Sequence, residues 1–178
     1  QGVKAILRVI DGQTSTRQVL LWINPSEFTV SKSALWTRVP ARGAASTSPP
    51  QFVGSQPERL ELPVELYGGY LKSGNVADVV ETLIDWTKPT RSSLSKNQPE
   101  PPIVSLEWGT STALAAFKGY LKSVTARYAF FEADGVPIRA TATLVLEEVP
   151  EEAKPQNPTS GALHARRSHV LRDGDSLH

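Results

Sequence analysis

The chain contains no cysteine and no methionine. Without a thiol there is no thiolate nucleophile, no thiolate metal site and no disulfide framework, and a disulfide-free domain of this size fits a reducing compartment. Histidine is almost as scarce, because His164, His169 and His178 all fall within the last fifteen residues. Everything before them therefore lacks an imidazole for general-base work, so no Ser-His-Asp or Cys-His arrangement is available there. Metal sites of the helical His or C-x-x-C kind are missing too. No apolar run approaches the ~18 residues of a membrane span, and no signal-peptide pattern opens the chain. Nineteen basic residues oppose eighteen acidic ones, for a formal charge of +1, which leaves no broad field for nucleic acid or an anionic membrane. The expectation is a protein with no catalytic, cofactor or metal site, no nucleic-acid partner and no direct membrane insertion. A start at Gln1 and the lack of methionine suggest a piece of a longer gene product.

What is present is enough for a core. The 178 residues are 39% hydrophobic, which suits one folded body with an extension. Residues 3–10 alternate, with Ala5, Leu7 and Val9 on one face and Lys4 and Arg8 on the other. Asp11-Gly12 then supplies a turn, and residues 17–22 resume an extended pattern, together a β-hairpin. Asn24-Pro25-Ser26 is a turn, and residues 27–33 form a further strand. From Pro40 to Pro57 the composition shifts to small residues and proline around Gln51-Phe52-Val53, a long loop of the kind that tends to be functional. Phe52 and Val53 would be wasted in solvent there and suit contact with a neighbouring subunit.

Leu60, Leu62, Val64 and Leu66 alternate with polar residues. Pro63 cannot donate to a ladder, which places this strand at an edge or at a bulge. One helix is expected after Asn75 as its cap, with Asp78 near the positive end of the dipole and Val76, Val79, Val80 and Leu83 as its apolar stripe; Lys88-Pro89 ends it. Residues 90–102 read as a polar connection with little structure of its own. Residues 103–108 are extended, and residues 114–131 form a long β stretch, bent or bulged near Gly119 or Ser123. Asp134-Gly135 turns the chain into residues 138–149, where Ile138, Ala140, Ala142, Leu144 and Leu146 face one way and Arg139, Thr141, Thr143 and Glu147 the other. The expected fold is mainly β, a closed or nearly closed antiparallel β-barrel or sandwich with one packed α-helix over residues 1–150. A charged linker (151–167) and the start of something new (168–178) follow.

Candidate chemistry is thin. Glu61, Glu65 and Glu107 sit opposite apolar residues, the pattern of a solvated sheet face rather than of paired catalytic carboxylates. Gly68-Gly69 and Gly74 lack the Lys-Ser/Thr of a phosphate loop. Trp22, Trp36, Trp86 and Trp108 are scattered one per element and are expected in core packing. Ile6, Ile10, Leu20, Trp22, Tyr120 and Val145, however, put apolar groups on faces that should be polar, which suggests subunit contacts. The candidates for such contacts are Phe52, Val53, Tyr120 and Trp22.

Several local motifs stand in order over roughly residues 18–149. Asn24-Pro25-Ser26-Glu27-Phe28 with Lys32-Ser33 is similar to the "NPSEF-x-x-x-KS" segment of the tube proteins of contractile injection systems. Gln51-Phe52-Val53-Gly54 before Leu60-Glu61-Leu62 resembles the next stretch, and Pro101-Pro102-Ile103-Val104 with Glu107-Trp108-Gly109 resembles "PP-x-V-x-F-x-WG". Phe117-Lys118-Gly119, Ser123-Val124, Phe130-Phe131 and the run from Asp134 to Ala140 resemble "F-x-G-V-x-x-S-V…LF-x-x-DG-x-P-x-RA". Tyr67-Gly68-Gly69 departs from the acidic segment that relatives often carry. Near the C-terminus, His169, Val170, Gly174, Asp175, Ser176 and Leu177 resemble the opening of a LysM module, "H-x-V-x-x-GDSL".

The resemblance implies a phage-tail-tube type barrel with one helix, assembled as a homo-oligomeric ring, a hexamer, around a central channel. It further implies a LysM-bearing baseplate adapter that joins the spike hub to the inner tube and initiates tube polymerisation. The particle would be assembled in the bacterial cytoplasm and be released or membrane-attached. A LysM-containing protein that binds cell-wall glycan, with the β domain as passenger, is the alternative reading; a small β-barrel enzyme is a third, opposed by the missing histidines.

Overall fold

The computed structural model describes residues 2–10, 17–38, 48–110 and 117–149. The Asp11-Gly12 turn, the first residues of the expected 114–131 stretch, the linker and the LysM-like segment, with all three histidines, lie outside the described residues.

Among the described residues, nine strands and two helices follow one another. Strands β1 (Ala5–Ile10), β2 (Gln18–Leu21), β3 (Thr29–Ser31), β4 (Ala34–Thr37), β5 (Gln51–Ser55) and β6 (Arg59–Tyr67) precede helices α1 (Val76–Asp85) and α2 (Arg91–Ser95). Strands β7 (Ile103–Glu107), β8 (Lys118–Phe131) and β9 (Pro137–Glu148) complete the body. Seven strands form one antiparallel sheet in the order β2-β1-β7-β8-β9-β6-β3, and β4 pairs with β5 in a separate ribbon.

Strict alternation drives the sheet. Leu60, Leu62, Val64 and Leu66 of β6 and Ala140, Ala142, Leu144 and Leu146 of β9 are buried, each directly opposite its partner from Leu60–Leu146 to Leu66–Ala140. Ala5, Leu7 and Val9 of β1, Val19 and Leu21 of β2, and Val104 and Leu106 of β7 join Leu60, Leu62, Val64, Ala142, Leu144 and Leu146 in one cluster, while Leu66 and Ala140 belong to a second, smaller one. The two halves of the sheet therefore curl over a shared core, in a sandwich-like arrangement. Strand β8 changes phase midway. Leu121 faces Leu146 but Ser123 faces Val145, so Lys122 is the extra residue of a bulge. Before it the odd positions point inward, and after it Val124 and Ala126 do. This is one of the two places where the spacing of β8 predicts a bulge.

Two glycines are steric requirements. A Cβ on Gly119 would run into the Glu147 carbonyl of the paired strand, and one on Gly68, the first residue of the 3-10 turn Gly68–Tyr70, would overlap the Gly74 carbonyl. Helix α1 begins where expected. Asn75 Oδ1 accepts from the Ala77 N–H at 2.9 Å, and its amide donates to Asp78 Oδ1 at 3.1 Å. Val76 and Val80 pack with Leu66 and Ala140, while Leu83 and Trp86 reach the larger cluster.

Four expectations need correction. The sheet is not closed into a barrel: the edge strands β2 and β3 are four and three residues long and are not hydrogen-bonded to each other, because so few ladder bonds offer little to a closure. The segment 40–57 is not all loop, since β5 lies within it and pairs with β4. Residues 90–102 contain α2, held by Thr90 Oγ1 accepting from the Ser93 N–H at 3.1 Å and by Ser93 Oγ donating to the Thr90 carbonyl at 2.8 Å. Of the tryptophans, Trp86 is buried and Trp108 packs on the core, but Trp22 and Trp36 are exposed. Pro63 lies where expected: β3 pairs only with Arg59, Leu60 and Glu61, so from Leu62 onward β6 has β9 on one side and an open edge on the other.

Candidate functional site

Neither strand of the β4–β5 ribbon has a buried residue. Leu35 and Trp36, Phe52 and Val53 are between 50% and 57% exposed. Leu35 pairs with Gly54 and Trp36 with Phe52, while a bulge leaves Val53 over. Adjacent strand residues point to opposite faces, so Leu35 and Trp36 make both sides of the ribbon apolar. The Trp36 and Phe52 rings meet edge to face, 5.4 Å between centroids.

The root of the ribbon is polar and well bonded. Gln56 N–H donates to the Ser33 carbonyl at 2.8 Å. Lys32 Nζ lies 3.0 Å from Glu148 Oε2, and the Glu58 N–H donates to that same oxygen at 3.0 Å. The Glu148 N–H returns a bond of 2.7 Å to the Glu58 carbonyl. The bond from the Glu58 backbone, then the bond from Lys32, holds the Glu148 carboxyl below its ordinary value, with partial burial opposing. The Lys-Ser of the sequence motif thus stands at this root. Other motif residues have local work as well: Asn24 Oδ1 accepts from the Ala5 N–H at 3.1 Å and its amide donates to the Val3 carbonyl at 2.9 Å, which ties the turn to the start of β1. Pro25 is buried and Phe28 packs on the core.

The remaining contact candidates lie elsewhere. Trp22, just after β2, stacks on Tyr70 at 6.0 Å, and Tyr70 meets Tyr67 edge-on at 5.5 Å, all three partly exposed. Tyr120 stands in a row across three strands with Ile103 and Ile10 on the sheet face turned from the core. Ile6, Leu20 and Val145 are half-buried on that same outward face. Phe52 and Val53 are thus not brought together with Trp22 or Tyr120. Phe130, with φ +56°, and Phe131 are exposed near the β8–β9 turn, and the Arg139 guanidinium lies 5.7 Å from the Phe130 ring. Sequence reasoning missed Leu35, Trp36 and this pair of phenylalanines. The signal for the first two was the pair of apolar dipeptides, Leu35-Trp36 and Phe52-Val53, on either side of a small-residue segment.

The outward face of the sheet is charge-balanced and rich in hydroxyls. Glu107 lies 3.4 Å from Arg8, Glu147 is 3.4 Å from Lys122, and Glu61 is 4.0 Å from Arg59, while Glu65 and Thr141 sit opposite each other on it. Glu61, Glu65 and Glu107 are exposed on this face, and Glu147 is half-buried. Among the described residues no group of three His, Asp or Glu side chains could hold a metal ion, and no helix is long and apolar enough to cross a membrane.

Compared with known families, residues 5–157 match the model of a family described as contractile injection system tube protein. No curated protein matches the chain significantly.

Proposed function

The chain belongs to the contractile injection system tube protein family, and from that premise we propose that it is a structural subunit of the baseplate. Its family is structural, and it forms part of a phage-tail-like particle together with other tail components. In the reading proposed here, six copies form a ring around the central channel, join the spike hub to the inner tube and initiate tube polymerisation.

One observation carries this reading. The β4–β5 ribbon exposes apolar side chains on both faces, and a lone two-stranded ribbon is only marginally stable in water. Its surfaces are complete only when a neighbour covers them. A ring needs a head-to-tail contact, in which one patch meets a different patch on the next copy, and a projecting arm is suited to that. The unpaired edges of β2, β3 and the far half of β6 offer backbone groups for strand addition. The outward face of the sheet, balanced in charge, suits the wall of a channel. Adapter rather than main tube is favoured by the LysM-like residues His169 to Leu177, which we read as a protein-docking module within the baseplate.

The test is coexpression of the chain with its hub and tube proteins, followed by mass measurement and electron microscopy of the complexes. Six copies at the hub end, with tubes growing from them, is the expected result. Copies distributed along the whole tube would make it a main tube subunit instead.

A further inference from the structure

We infer that Glu148 is a positioning residue that sets the direction of the β4–β5 arm by binding both of its legs with one carboxylate oxygen. The arm leaves the body through two segments, Lys32-Ser33 and Gln56-Pro57-Glu58. Glu148 Oε2 takes the Lys32 ammonium from the first at 3.0 Å and the Glu58 N–H from the second at 3.0 Å. The Gln56–Ser33 backbone bond joins the legs to each other but not to the sheet. Beyond that bond, the arm's strands are exposed along nearly their whole length. Its angle to the body is therefore decided at its root.

Glu148 is well placed for the task. Its own N–H is bonded to the Glu58 carbonyl at 2.7 Å, and the next residue, Val149, donates to the Lys118 carbonyl at 3.0 Å. The backbone beneath the carboxylate is thus held by the first residue of β8 and, through the neighbouring Glu147, by its pairing with Arg59 of β6. An exposed ion pair adds little to stability, but restricting an arm's direction needs only that its two legs share one fixed acceptor. Pre-set direction reduces the ordering cost of docking. The importance of that direction rests on the reading of the arm as an assembly contact, but the geometry does not, so the test uses the isolated full chain.

The lack of cysteine makes spin labelling clean. Labels at Gly54→Cys on the arm, where a Cβ meets open space, and at Glu81→Cys on the exposed side of α1, report the arm-to-body distance distribution. The parent chain should give one narrow distribution. Glu148→Ala should widen it roughly twofold and Lys32→Met by less, with the melting temperature nearly unchanged, because opening is local. Lys122→Met, which removes the neighbouring pair with Glu147, should leave the width alone. Unchanged widths in Glu148→Ala and Lys32→Met overturn the inference. So does equal widening in Lys122→Met, or a fall in melting temperature with no widening, which would mark Glu148 as merely structural. Loss of assembly with normal widths would instead concern the arm's partner.

Discussion

Trp36 and Phe52 face each other across the β4–β5 ribbon with their rings 69° apart and centroids 5.4 Å apart, yet both are more than half exposed. Such a pair contributes on the order of 0.5–1.5 kcal/mol to the ribbon itself, far less than burial of both rings would.

Phe52→Asp should therefore cost the isolated chain under about 1 kcal/mol, as for a surface substitution that loses one ring contact. Incorporation into particles should fail, since a charge would then sit in the covered face. Purified particles from cells carrying the mutant decide this, and normal particles with full occupancy would remove the ribbon from the interface.

In the core the consequence reverses. Leu144 is fully buried between Leu62 of β6 and Val124 of β8. Leu144→Asp should cost on the order of 4 kcal/mol or more, because an unpaired carboxylate would lose its water. Thr125→Asp, on the outward face one strand away, should fold normally. Circular dichroism and thermal melting of the two variants distinguish the faces, and a folded Leu144→Asp chain would mean that the faces are reversed.

Gly119→Ala should destabilise by about 1–3 kcal/mol, since the new methyl group meets the Glu147 carbonyl and the paired strands must part. The melting temperature should fall by roughly 2–4 °C for each kcal/mol lost. No change would mean that β8 and β9 separate freely at this point.

Much of this was legible beforehand, where burial within one chain drives the pattern. The alternation of β6 and β9 and the capped stripe of α1 are each sustained by contact with the core. The bulge at Lys122 shows as a change of phase between Leu121 and Val124. The β4–β5 ribbon was not legible, because its apolar residues bury nothing in their own chain and so follow no period. Helix α2 was missed for a related reason: it has no buried residue and is held by polar bonds among Thr90, Ser93 and Glu100. Closure of the sheet depends on whether two strands distant in sequence meet, which no local spacing reports. The exposure of Trp22 and Trp36 likewise follows from tertiary position, not from residue type.

Acid should act on the arm through Glu148. Its carboxyl is held below its ordinary value of 4.5, by the Glu58 backbone bond first and Lys32 second. A lowered folded-state value means that the contribution is complete above 4.5 and is lost as pH falls through the folded pKa. The charges on the elements meeting there are Lys32, Glu58, Arg59, Lys118, Lys122 and Glu147. Arm-to-body distance distributions should thus be constant from neutral pH down to 4.5 and widen as the pH falls further, through the folded-state pKa. Glu148→Gln should remove most of that acid dependence. An unchanged acid response in Glu148→Gln would mean that the response does not run through this carboxyl.

Removal of residues 158–178, beyond the family match, should separate folding from placement. The buried residues of the described core all lie between Ala5 and Leu146, and a charged linker containing proline shares little core with a neighbouring body. The truncated chain should melt within a few degrees of the parent, a change under about 1 kcal/mol. Its recruitment to the hub should nevertheless drop, because the LysM-like segment is proposed to dock there. Two measurements settle the point: thermal melting of the isolated chain, and its abundance in particles relative to the hub. A large loss of stability would show that the tail packs as part of the fold. Full recruitment without the tail would remove the docking role and with it the main ground for placing this subunit at the baseplate instead of along the tube. Micromolar binding of cell-wall glycan by the parent but not by the truncated chain would favour a glycan reader over a docking module.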